Sequence, residues 1–205
     1  MGQLVAVAVI TVLAVISPGA DFAMTVRNSY LYGRTAGVLA AVGISLGVLV
    51  HVTYTMLGVG LLVTRTPALF TAMKLVGAAY LVYVGYKTFV ARARVDIDLS
   101  ESGGPSKAGA LRTGFLTNAL NPKTMLFVLS TYTQVVSVDT PVFQQVGYGL
   151  FMSVAHLGWF ALAAVLFSNP ALRNRLLQRQ TVLNKVIGAV LVALGMVLAL
   201  TPAVA

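Results

Sequence analysis

Four charged or titratable side chains sit inside long apolar runs of this chain, where chemistry has to justify them: Asp21, Lys123, His51 and His156. Asp21 follows Ser17, Pro18, Gly19 and Ala20, whereas Lys123 follows Asn118, Asn121 and Pro122. Proline removes a backbone donor and leaves a carbonyl unpaired, so both segments read as helix breaks with free backbone polar groups beside an ion. At membrane depth such breaks persist only where protein or a wet cavity covers them. An acid at one break and a cation at the other could hold the two charges of a zwitterion, with Asn118 and Asn121 adding amide donors and acceptors. Histidine titrates near neutral pH, which makes His51 and His156 candidates for proton coupling behind Asp21.

Each of these residues also has a plainer reading. Asp21 could reach the cytoplasmic interface one turn beyond a kink at Pro18. Lys123 could neutralise Asp21, bind a substrate carboxylate, or snorkel along a tilted helix. The two asparagines could satisfy the carbonyls that Pro122 leaves unpaired, and an intramembrane histidine commonly makes interhelical hydrogen bonds. Gly43-Ile44-Ser45-Leu46-Gly47 matches the Gly-x-Ser-x-Gly nucleophile pattern literally. That pattern needs a strand-to-helix turn, and here it lies in an apolar helix, so a close-packing glycine face is the simpler reading. A six-span hydrolase using Ser45 with His51 or His156 is the enzyme alternative, and the chain is not expected to be an enzyme.

The elements that must carry these residues are membrane helices. Of 205 residues, 58% are hydrophobic and 9% charged, against about 25% charged in ordinary soluble domains. A spanning helix needs about 20 apolar residues, and the punctuation marks six candidates near residues 2–26, 36–63, 67–91, 111–138, 142–168 and 182–203. From Leu4 to Ile16, thirteen helical residues rise about 20 Å, so the Ser17 to Asp21 break falls inside a hydrocarbon core of about 30 Å. Asp21 is the only one of the five acids expected within a span; Asp96, Asp98, Glu101 and Asp139 lie in connections. At the bilayer centre it would cost about 2.5 to 3.5 kcal/mol without a partner, water or a proton.

Cysteine is absent, which excludes disulfides, thiol redox chemistry and thiolate metal sites; neither a resident metal nor a cofactor is expected. The net charge of +9 does not point to nucleic acid, because the basic residues are spread through short connections. Eleven of the fourteen fall on one side of the proposed spans: Arg27, Arg34, Lys87, Arg92, Arg94, Lys107, Arg112, Arg173, Arg175, Arg179 and Lys185. Cytoplasmic segments are enriched in lysine and arginine, so both termini should lie outside the cytoplasm. The run Arg173, Arg175, Arg179 reads as a cytoplasmic loop touching anionic lipid. The first apolar run lacks a basic start and reads as retained, not as a cleaved leader.

Ordered local matches join the two halves: Pro18 with Pro122, Val50-His51 with Ala155-His156, and Lys74 to Ala78 with Lys185 to Ala189. Three spans per half force the second copy to enter from the opposite side. The expected architecture is therefore an all-α integral membrane protein of six transmembrane helices in two inverted three-helix repeats, with helices one and four broken. Residues 1–95 form the first repeat, 96–108 a cytoplasmic connector, and 109–205 the second. Gly43, Gly47 and His51 share one helix face, and Gly149, Ser153 and His156 do much the same.

These residues resemble the LysE/RhtB superfamily of bacterial amino-acid exporters over nearly the whole chain. The likeness rests on Ser17 to Phe22, Arg27-Asn28, Gly33 to Gly37, Gly43 to Gly47, Gly77 to Leu81 with Gly85, and Gly114 to Lys123. The family usually has Pro-Gly-Pro in the first span, and here Ala20 replaces the second proline. The resemblance implies a six-span exporter of the inner membrane, driven by the proton-motive force, and homodimers. Its two motifs fall on Ser17, Pro18, Gly19 and Asp21, and on Asn121, Pro122 and Lys123. With one intramembrane acid, a second positive charge on a substrate would lack a partner, so a small neutral amino acid of the threonine, homoserine or leucine type is favoured over a basic one. One proton crossing about 100 mV supplies about 2.3 kcal/mol, enough to bias export. A metal-ion exporter would want a histidine-rich or acidic loop that residues 92–107 do not offer.

Overall fold

The computed structural model describes residues 2–65, 67–90, 105–137 and 139–200. They form seven helices and, among the described residues, no strand: α1 (Gly2–Ile16), α2 (Ala20–Arg65), α3 (Pro67–Val90), α4 (Lys107–Ala119), α5 (Pro122–Val135), α6 (Val142–Phe167) and α7 (Pro170–Leu200). The breaks are short, with Ser17 to Gly19 separating α1 from α2 and Leu120 with Asn121 separating α4 from α5. Most of the Arg92 to Lys107 connector lies outside the described residues; Ser106 caps α4 by accepting from the Gly109 amide at 3.0 Å.

Between the first two proposed spans the sequence suggested a loop holding Arg27 and Arg34. Instead α2 is helical on both sides of one residue, Gly33, whose φ of 83° and ψ of 174° lie where a Cβ is penalised and glycine is not. One glycine therefore does the work of a loop. The apolar stretch Ala20–Gly58 has 39 residues and would measure about 58 Å as a straight helix, nearly twice a bilayer core. The kink divides it into two legs. Among the described residues, this stretch and Val142–Phe167 are the two helices long and apolar enough to cross a membrane. The breaks cut α1, α4 and α5 to 15, 13 and 14 residues, about 20 Å each.

Two further boundaries differ from the expectation. The fourth span was drawn to residue 138, but the helix ends at Val135. The sixth was drawn from residue 182, but α7 starts at Pro170, because the Asn169 side chain caps the Ala171 amide at 3.0 Å and proline suits a first helical turn. Arg173, Arg175 and Arg179 therefore lie on helical backbone and not in a loop.

Small residues set the packing. A Cβ on Gly43 would strike the Leu111 carbonyl and the Phe115 amide, one on Gly114 the Ala40 carbonyl, and one on Gly47 the Asn118 side chain, so the second leg of α2 runs parallel to α4 at backbone contact. The same leg runs antiparallel to α6: Gly37 faces Ala164, Ser153 Oγ donates to the Ser45 carbonyl at 2.8 Å, and Gly149 faces Val52. α3 and α7 are antiparallel as well, with Gly85 against Gly188 and Val192 and Gly195 against Ala78. Beside a small cluster of Ile187 and Leu191, two large apolar clusters fill most of the interior. One gathers Val7, Ala14, Val52, Phe127, Tyr132 and Met152, and the other Val15, Phe22, Ile44, Phe160 and Phe167.

Candidate substrate site at the paired helix breaks

The first break follows from what proline cannot do. Pro18 has no N–H for the Ala14 carbonyl, and Ser17 Oγ takes that acceptor at 2.8 Å. Downstream, the Ala23 amide resumes the helical ladder on Gly19 at 3.0 Å. The carbonyls of Ser17 and Pro18, at the negative end of α1, receive Lys123 Nζ at 2.8 and 3.3 Å, and the same ammonium bonds Ser17 Oγ. Gly19 lets the lysine in: a Cβ there would lie 3.2 Å from Lys123 Cδ and 3.3 Å from Nζ.

The second break is a helix start. Asn121 Oδ1 accepts from the Lys123 amide at 2.9 Å, and Pro122 occupies the first turn of α5, the arrangement in which a proline sacrifices no helical bond. With Oδ1 so committed, Asn121 Nδ2 donates to Asp21 Oδ2 at 3.0 Å. Asn118 Nδ2 donates to the same oxygen at 2.9 Å, and Thr124 Oγ1 lies 3.3 Å from it. Asp21 itself stands in the first turn of α2, where a helix dipole favours an anion. One carboxylate oxygen thus ties break one to break two, while Asp21 Oδ1 is buried with no hydrogen-bond partner among the described residues.

Ser17, Gly19, Asp21, Asn121, Lys123, Thr124 and His156 line one cavity, whose remaining wall is Ala14, Val15, Phe22, Phe127 and Phe160. The cavity touches both large apolar clusters, so the polar groups form a layer between them. Its volume is about 20 Å³, where one water needs about 10–15 Å³. The site is contracted around its own lysine.

The two histidines have different surroundings. His51 Nε2 lies 2.8 Å from the Asn118 carbonyl and Nδ1 lies 2.5 Å from Tyr54 Oη. Because a carbonyl only accepts, Nε2 carries the proton. His51 supports the end of α4 and does not line the cavity. His156 does line it, with Nδ1 on the Met152 carbonyl at 2.7 Å. Ser45 Oγ donates to the Val42 carbonyl at 2.8 Å, and the hydrogen bonds of both histidine rings run to Tyr54, Asn118 and Met152, so the nucleophile–base pairing a hydrolase would need is not formed here.

Thr124 and the aromatic wall were not anticipated from sequence. Thr124 could have been found one residue past Lys123, in the first turn of a helix known to start at Pro122. Phe127 and Phe160 carry no signal that separates a cavity wall from packing.

A family model, LysE type translocator, matches residues 12–201. The chain belongs to the LysE type translocator family. Relatives of this translocator include an uncharacterised membrane protein, YrhP, of Bacillus subtilis strain 168, 28% identical over 95% of this chain and 97% of its own length. An Escherichia coli K12 threonine efflux protein is 27% identical over 82% of this chain and 83% of its own. No solved structure matches the chain. The family is one of membrane translocators, not of enzymes.

Proposed function

We propose that this chain exports small neutral amino acids, of the threonine, homoserine or leucine type, from the cytoplasm across a bacterial inner membrane. The observation that carries the reading is Asp21 Oδ1, a buried carboxylate oxygen without a hydrogen-bond partner among the described residues, on a cavity also lined by Lys123. The substrate ammonium takes Oδ1 and the broken-helix carbonyls of Ser17 and Pro18. To free those carbonyls Lys123 turns away, and its ammonium, with the amides at the start of α2, meets the substrate carboxylate. Substrate therefore enters by exchanging for the lysine, which widens the contracted cavity.

The antiparallel pairings of α2 with α6 and of α3 with α7 support two inverted three-span repeats, residues 1–95 and 109–205 around a cytoplasmic connector at 96–108, with both termini outside. Coupling to the proton-motive force runs through Asp21, the acid at the site, with His156 behind it; His51, committed to the Asn118 carbonyl, is the weaker candidate. A basic amino acid is disfavoured because its second cation finds Lys123 and no second acid. Threonine export by a relative supports the neutral class. Efflux of a panel of labelled amino acids from loaded proteoliposomes tests the reading. Small neutral amino acids should leave fastest, and a proton ionophore should abolish the driven component; preferential efflux of lysine or arginine would overturn the substrate class, and a strict sodium requirement the coupling.

A further inference from the structure

We infer that His156 recognises a hydroxyl group on the substrate's side chain. The inference rests on the amino-acid export reading above and adds to it the end of the cavity that the two charges leave unassigned. His156 is 4% exposed and its ring lines the cavity. Its Nδ1 faces the Met152 carbonyl at 2.7 Å, an acceptor that obliges Nδ1 to carry the hydrogen. In the neutral ring Nε2 is then an acceptor with a lone pair and no proton to give.

Every other neutral polar side chain on the cavity is already engaged. Ser17 Oγ serves the Ala14 carbonyl and Lys123; Asn121 serves the Lys123 amide and Asp21; Thr124 serves Asn118 and Asp21. Each of those oxygens already accepts one bond; among these side chains only His156 has an acceptor atom, Nε2, with no hydrogen bond to a described residue. Its ring centroid lies 6.0 Å from those of both Phe127 and Phe160, which also line the cavity, so His156 belongs to the aromatic part of the lining. A wall of this kind suits the substrate's side chain, and a single acceptor in it suits one donor. That donor is a hydroxyl and not a second ammonium, because Lys123 on the same cavity repels added positive charge. A buried acceptor left unpaired by a side chain lacking the hydroxyl penalises that substrate.

Threonine and valine, near-isosteres differing by hydroxyl against methyl, isolate the effect. Competition of each with labelled threonine efflux from proteoliposomes gives the threonine-to-valine preference of the intact chain, and thermal stabilisation of purified protein by each amino acid gives the same ratio from binding. His156→Phe keeps a ring against Phe127 and Phe160 and removes the acceptor, so the preference should fall about tenfold, the worth of one net hydrogen bond. His156→Gln, which can donate to the Met152 carbonyl and present its own oxygen, should keep most of it. An unchanged threonine-to-valine ratio in the thermal stabilisation of His156→Phe overturns the inference, as does loss of stabilisation by both amino acids from a folded His156→Phe variant; binding is the deciding readout because it does not depend on the coupling role of His156. A wild-type protein that moves neither amino acid would refute the export reading itself, a different outcome from either.

Discussion

Replacing Asp21 by asparagine separates the folding role of this carboxylate from its proposed role in binding. In the native site Oδ2 accepts from Asn118, Asn121 and Thr124 while Oδ1 accepts from no described group. An asparagine oriented with its oxygen at the Oδ2 position keeps all three interactions, and its amide nitrogen falls where Oδ1 stood. The fold should therefore lose about 1–3 kcal/mol, as the three bonds to Oδ2 change from charge-assisted to neutral ones, or roughly 2–12 °C in melting temperature for a chain of this size. The substrate ammonium, by contrast, loses a charge-assisted bond worth about 1.5–3 kcal/mol, which corresponds to roughly a ten- to hundredfold weaker half-saturation. The assay pairs a thermal melt of the purified variant with concentration-dependent efflux in proteoliposomes. Export within twofold of wild type, from a folded variant, would refute the assignment of Asp21 Oδ1 to the substrate; a drop in the melt well beyond that range would refute the claim that Oδ2 alone carries the structural load.

Lys123→Met strips the donor from the Ser17 and Pro18 carbonyls, at about 1–3 kcal/mol for each buried group left unpaired, so thermal stability falls together with export, and a variant as stable as wild type would contradict the capping geometry. Gly43→Val should destabilise by about 1–3 kcal/mol or more, read by the same melt, because its side chain must displace the Leu111 carbonyl, whereas Gly147→Ala, with nothing within 4 Å of an added Cβ, should be neutral. Ala20→Pro should be tolerated or stabilise by about 0.4–1 kcal/mol, since Ala20 is the first residue of α2, where proline breaks no helical bond; a strong loss of stability would show that this break is shaped differently from the family's Pro-Gly-Pro.

Proline and glycine made the breaks legible in the sequence, because the backbone bonds that Pro18 and Pro122 cannot form are a local property. The Asn121 cap was not: the sequence offered both asparagines as partners for the carbonyls that Pro122 leaves unpaired, whereas Asn121 Oδ1 accepts from the Lys123 amide, the same cap that Asn169 makes at an exposed helix start. The partners of the ions were not legible. Sequence left Lys123 between Asp21, a carboxylate and the interface; it went to the α1 carbonyls, a choice that depends on how α1 and α5 meet. The matched histidines looked equivalent, yet Gly47 brings Asn118 to His51 whereas Gly149 brings Val52 to α6, so only His156 reaches the cavity. The turn at Gly33 has no signal in the sequence, since nothing in its neighbours shows that one residue with positive φ replaces a loop.

The central claim is that both charges of a zwitterion are read at the paired breaks. Inhibition of labelled threonine efflux by three competitors tests it directly: threonine itself, its carboxamide, which lacks the carboxylate, and its N-acetyl derivative, which lacks the ammonium. Threonine should compete at least about tenfold better than either derivative, as loss of one charge-assisted contact requires, and equal competition by either one would contradict the two-charge site.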